Sequence, residues 1–91
     1  MYKVIFSKKS KTFLEKNPGY KSKALDISKQ FVKLISGEKE NIDVKKMKGE
    51  WKGFYRVRSG KIRIMLSIDI DTEVLYVERI GFRGDVFKDR K

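Results

Sequence analysis

Tyr55-Arg56-Val57-Arg58-Ser59-Gly60-Lys61-Ile62-Arg63-Ile64-Met65-Leu66-Ser67-Ile68 alternates with a period of two, and this stretch decides the fold. Side chains two residues apart on a strand share a face. Ile62, Ile64, Leu66 and Ile68 therefore make one aliphatic face, and Arg63, Met65 and Ser67 the other. The preceding run, Phe54 to Arg58, sends Tyr55 and Val57 to one side and Arg56 and Arg58 to the other. Ser59-Gly60 between the two runs reads as a tight hairpin turn. If the aliphatic face packs inward, Arg56, Arg58 and Arg63 converge on the open face of the hairpin. No carboxylate lies within the two strands to neutralise them. Planar guanidinium forks suit phosphate oxygens, whereas three arginines on an ordinary solvated face need no ligand.

On the C-terminal side, the polar turn Asp69 to Thr72 leads to a third strand, Glu73 to Ile80, which makes a meander. On the N-terminal side, Val44 to Met47 reads as a short edge segment whose lysines discourage further pairing. Glu38 to Asn41 is a polar loop. Ahead of it the period becomes helical. Ala24, Ile27, Phe31, Leu34 and Ile35 form one apolar stripe on a helix from about Tyr20 to Ile35, closed by Gly37. A shorter basic helix, about Lys8 to Lys16, is capped by Ser7 and broken by Asn17-Pro18-Gly19. Tyr2 to Phe6 is a β-branched and aromatic first strand. The expected architecture is α+β in a single domain spanning residues 1–91. It runs from an N-terminal strand through a two-helix hairpin to an antiparallel meander of three to four strands, the helices covering one sheet face.

Composition narrows the function classes. Lys and Arg number 23 against 12 acids, a net charge of +11, which favours polyanionic partners. Cysteine and histidine are both absent, so disulfides and ordinary zinc sites are excluded, and neither a metal nor another cofactor is expected. No apolar run approaches the length of a membrane span, and the N-terminus does not read as a signal peptide. A cytoplasmic protein without membrane contact is the expectation. Lys45, Lys46, Lys48 and Lys52 extend a basic track ahead of the hairpin, though such runs are often simply solvated. Among the aromatics, Phe54 is a candidate for stacking on a base. Trp51 reads as core, or a lid over it.

Met47-Lys48-Gly49, then Gly53-Phe54-Tyr55-Arg56-Val57-Arg58, Gly60-Lys61-Ile62-Arg63-Ile64 and Ile80-Gly81-Phe82-Arg83-Gly84-Asp85-Val86-Phe87, resemble the C-terminal half of RelE/ParE toxins in order and spacing. The strand and helix pair ahead of them match that family's layout. The resemblance implies a toxin of a type II toxin–antitoxin module: a ribosome-dependent endoribonuclease that cuts messenger RNA and is silenced by an acidic antitoxin, with operator DNA contacted through that antitoxin. Transferred by position, Arg56 and Arg58 match the family's basic strand pair and Arg63 its hairpin arginine. Arg83 matches the arginine that supports the scissile phosphate. Attack by a ribose 2′-hydroxyl on its own 3′-phosphate needs charge stabilisation, which arginines supply, and proton transfer, which they do not.

The chain departs from the family at the proton-transfer positions. Phe87 stands where many relatives carry Tyr, and Phe82 where several carry His. Phe87 keeps the capacity to stack on a base. Glu50, Glu78, Asp85 and Lys52 are the remaining groups for proton transfer, and none is singled out. A gyrase inhibitor of the ParE branch, and a non-catalytic binding relic of a toxin, remain open beside the ribonuclease.

Overall fold

The computed structural model describes residues 2–82. β1 (Lys3–Phe6) leads into α1 (Lys8–Lys16), a short 3-10 turn (Pro18–Tyr20) and α2 (Lys21–Ile35). The remaining strands are β2 (Asp43–Lys46), β3 (Tyr55–Ser59), β4 (Ile62–Asp69) and β5 (Val74–Phe82), with a second 3-10 turn, Gly49–Trp51, between β2 and β3. The fold is α+β, as expected. The sheet holds five strands in the order β1-β5-β4-β3-β2. β2 to β5 form the antiparallel meander, and β1 joins it parallel to β5, so the sheet is mixed.

Local sequence chemistry accounts for the element ends. Ser7 caps α1, its hydroxyl oxygen accepting from the Ser10 N–H. Pro18 opens the first 3-10 turn, so α2 begins one residue later than the periodicity suggests. The hairpin loop is Gly60-Lys61 rather than Ser59-Gly60, because Ser59 still pairs with Ile62. Gly60 takes φ +58° there, a conformation that side chains with a Cβ disfavour. At the next turn, the Asp69 carboxylate accepts from the N–H groups of Asp71 and Thr72.

The helices cover one face of the sheet. Ala24, Ile27 and Phe31 of α2 are buried with Val57, Ile62, Ile64, Leu66, Leu75 and Val77 of the sheet. Phe31 meets the Tyr55 ring at 5.2 Å. The inward roles expected of Tyr55, Val57 and the aliphatic β4 face are thus borne out. The α2 stripe is shorter than expected. Ser28 is buried within it, bonded to the Ala24 carbonyl, whereas Ile35 at its C-terminal end is exposed. No helix among the described residues is long and apolar enough to cross a membrane.

The register of β5 against β4 breaks at one point. Val77 pairs with Leu66 but Arg79 pairs with Met65, so Glu78 is an extra residue. Leu75 and Val77 face the helices before this bulge, and Ile80 and Phe82 face them after it. Phe82 closes an aromatic trio, its ring 5.1 Å from Phe13 and 5.6 Å from Tyr20. Phe82, at the position where the resemblance implies a His, is part of the helix-side packing.

Candidate nucleic-acid interface

Pairing places the arginines on the face away from the helices. Opposite residues on neighbouring antiparallel strands point the same way. One row across the sheet reads Lys45, Arg56, Met65, Arg79, and the next reads Asp43, Arg58, Arg63, Gly81. Arg56, Arg58 and Arg63 therefore lie together, as alternation predicted. Each is half-buried. The Nε atoms of Arg56 and Arg63 are buried, with no hydrogen-bond partner among the described residues. A buried donor without a partner is costly, and an incoming phosphate oxygen would relieve it.

Arg58 differs from its neighbours. Its Nε donates to Asp43 Oδ2 at 2.7 Å and its Nη2 lies 2.5 Å from the same oxygen. The Arg58 hydrogen bond, aided by the charges of Arg58 and Arg56, holds the Asp43 carboxyl below its ordinary pKa against the opposing effect of desolvation. A carboxylate for Arg58, which β3 itself lacks, is thus supplied by the adjoining edge strand.

The lysines divide. Lys45 stands opposite Arg56 and joins the arginine face. Lys46 stands opposite Tyr55, whose ring meets Phe31, so it sits on the helix side at the sheet edge. That corrects its expected place in the basic track, and the reason is parity, since Lys45 and Lys46 are adjacent in a strand. Lys48 and Lys52 flank the second 3-10 turn and are exposed. Arg83 and Phe87 lie outside the described residues.

The second 3-10 turn carries Trp51 back over the arginine face. Gly53, at φ +95°, returns the chain toward β3. Trp51 is 5% exposed and meets Phe54 edge-on at 5.2 Å. The Arg79 guanidinium lies 5.7 Å from the Trp51 ring centroid. Trp51 is buried, as a structural residue, but over the arginine face rather than in the helix-side core expected for it, and Phe54 is half-buried against it.

Sequence reasoning missed two residues of this face. Arg79 shares odd parity with Leu75 and Val77, so uninterrupted alternation would turn it toward the helices. The Glu78 bulge brings it out beside Met65. Tyr76, opposite Ser67, is on the same face and 42% exposed. The available signal was the misfit itself, because an arginine in phase with a buried aliphatic run implies a break in phase. Chemically, the face holds guanidiniums able to grip phosphates and a phenol able to exchange a proton. Among the described residues there is no cluster of three or more acidic, His or Cys side chains to bind a metal.

Sequence comparison matches no family profile and no curated relative. Structural comparison is more informative. A chain of the archaeal RelE–RelB complex from Pyrococcus horikoshii superposes with a TM-score of 0.68 at 24% identity, covering 93% of this chain and 98% of that one. A chain of the RelBE2 toxin–antitoxin complex from Mycobacterium tuberculosis gives 0.65 at 22% identity, covering 90% and 98%. YafQ from Escherichia coli gives 0.62 at 12% identity, covering 96% and 99%. Nearly the full length of each chain is matched, helices and mixed sheet included. The chain has the RelE-like toxin fold.

Proposed function

We propose that this protein is the toxin of a toxin–antitoxin pair and cuts messenger RNA on the ribosome, in the cytoplasm. The observation that carries the reading is the cross-strand register that assembles Arg56, Arg58, Arg63 and Arg79 on the sheet face opposite the helices, with the Nε donors of Arg56 and Arg63 buried and without a hydrogen-bond partner among the described residues. Arg56 and Arg63 would hold the scissile phosphate and stabilise the charge that develops as a ribose 2′-hydroxyl attacks it. The 5′-oxygen leaves with a 2′,3′-cyclic phosphate remaining, so a proton must be taken from the nucleophile and one given to the leaving group. Tyr76 joins Glu50, Glu78, Asp85 and Lys52 as a group able to serve there, and the ribosome can supply others. Lys45, Lys48, Lys52 and Phe54 would extend the contact along the strand, as would Arg83 and Phe87.

The partner in this reading is an acidic antitoxin, which suits a chain of net charge +11. The neighbours from Pyrococcus and Mycobacterium come from toxin–antitoxin complexes. Operator DNA would be reached through the antitoxin. The test is primer extension on a reporter message translated with purified protein. New cuts that vanish in Arg56→Ala and Arg63→Ala support the reading, and an uncut message removes it. Phe82, turned to the helices in place of a His, favours gyrase inhibition as the second reading. Accumulation of gyrase cleavage complexes with an intact message would select it.

A further inference from the structure

The bulge in β5 is held by the start of α1. At a bulge the extra residue breaks the ladder, and backbone carbonyls there need donors from elsewhere. Here the Val77 carbonyl accepts from the Ser7 N–H at 2.9 Å and from the Ser10 hydroxyl at 2.9 Å. The Glu78 carbonyl accepts from the Ser7 hydroxyl at 2.6 Å. Ser10 is fully buried, and among the described residues its hydroxyl donates to the Val77 carbonyl. Both serines lie more than sixty residues from the strand they grip.

The clamp has a consequence on the other side of the sheet. With the extra residue in place, Arg79 leaves the phase of Leu75 and Val77 and stands across Met65 from Arg56. Strands are about 4.8 Å apart, so the two arginine backbones are roughly 10 Å apart, within reach of one nucleic-acid backbone. Trp51 then steadies the Arg79 guanidinium over that face.

We propose that Arg79 binds the phosphates of single-stranded RNA on this face, and that Ser7 and Ser10 are its positioning residues, acting through the bulge at Glu78. This rests on reading the arginine face as a nucleic-acid site. The probe is a single-stranded RNA of twelve nucleotides with 2′-O-methyl riboses, which cannot be cleaved, titrated by fluorescence anisotropy at several salt concentrations. Arg79→Gln is expected to weaken binding about tenfold at low salt and to reduce the slope of log affinity against log salt by about 0.7, the loss of one phosphate contact. Lys39→Gln, in the loop after α2, controls for loss of one charge and should keep the wild-type slope.

Ser10→Ala is expected to reproduce the Arg79→Gln slope while leaving the far-ultraviolet dichroism unchanged. Added to Arg79→Gln, it should weaken binding no further. That non-additivity separates positioning from general loosening. Ser10→Thr, which keeps the hydroxyl donor and adds one methyl, probes the clamp a second time and should bind RNA more tightly than Ser10→Ala. Arg79→Gln with wild-type affinity and slope overturns the inference while the functional reading stands. Additive loss in the double variant overturns the positioning role. Wild-type protein that leaves the RNA unbound at low salt removes the functional reading itself.

Discussion

Arg58 and Asp43 stand directly opposite one another on β3 and β2, and one carboxylate oxygen receives both the Nε and the Nη2 of the guanidinium. An acid on an edge strand thus occupies one member of the arginine cluster in the way a phosphate oxygen would. Replacing Asp43 by Asn should release Arg58 and remove a negative charge from the face. RNA affinity at low salt should rise severalfold, with a steeper salt slope. Unchanged affinity would show that Arg58 does not reach the ligand.

The same pair sets a pH dependence. The Asp43 pKa is depressed in the folded state, so its contribution to stability is present above the unfolded carboxylate value near 3.8 and is lost as pH falls through the lower folded value. Both side chains are substantially exposed, so the effect is modest and screened by salt. Carboxyl chemical shifts of Asp43 followed by NMR should give a midpoint below 3.8, and Arg58→Gln should move it upward. A midpoint unaffected by Arg58→Gln would contradict the assigned cause.

Arg56 and Arg63 should matter more than Arg58 for cleavage, because their Nε donors have no internal partner among the described residues. Alanine at either position should slow single-turnover cleavage by about 100-fold or more, the scale of losing a donor to developing phosphate charge. Arg58→Ala should cost less. Equal losses at all three positions would erase the distinction drawn from Asp43.

Tyr76 offers a phenol on the arginine face. Tyr76→Phe should leave RNA affinity within twofold of wild type yet lower the cleavage rate by about tenfold or more, as expected for a proton-transfer group. Full activity in Tyr76→Phe would return that role to the acidic candidates or to the ribosome.

The core makes a separate prediction. Phe31 is fully buried and packs on Tyr55, so Phe31→Ala should destabilise the fold by about 3–5 kcal/mol, read by urea denaturation. In a domain of this size that is a large share of the total stability.

The hairpin of β3 and β4 was legible in the sequence because alternation is local: each residue's face follows from its neighbour's. The phase of β5 was not legible past Val77, since one additional residue inverts every later assignment, and the reason for that residue lies in Ser7 and Ser10. The Asp43–Arg58 pair required the register of two strands joined by an eight-residue connection, 47–54, which spacing does not determine. Lys46 was misplaced for the same kind of reason. A run of basic residues looks uniform in composition, yet the pleat divides it between two faces.

The parallel seat of β1 beside β5 joins residues 3–6 to residues 74–77. The meander from 43 to 82 is built from contacts between neighbours in sequence and can form early, whereas this last pairing must close the long stretch between residues 6 and 74. During synthesis the first strand, and the serines that follow it, wait for their partner until residues 74–77 have been made. A fold assembled this way completes its sheet only after β5 has been made and can take its out-of-phase turn.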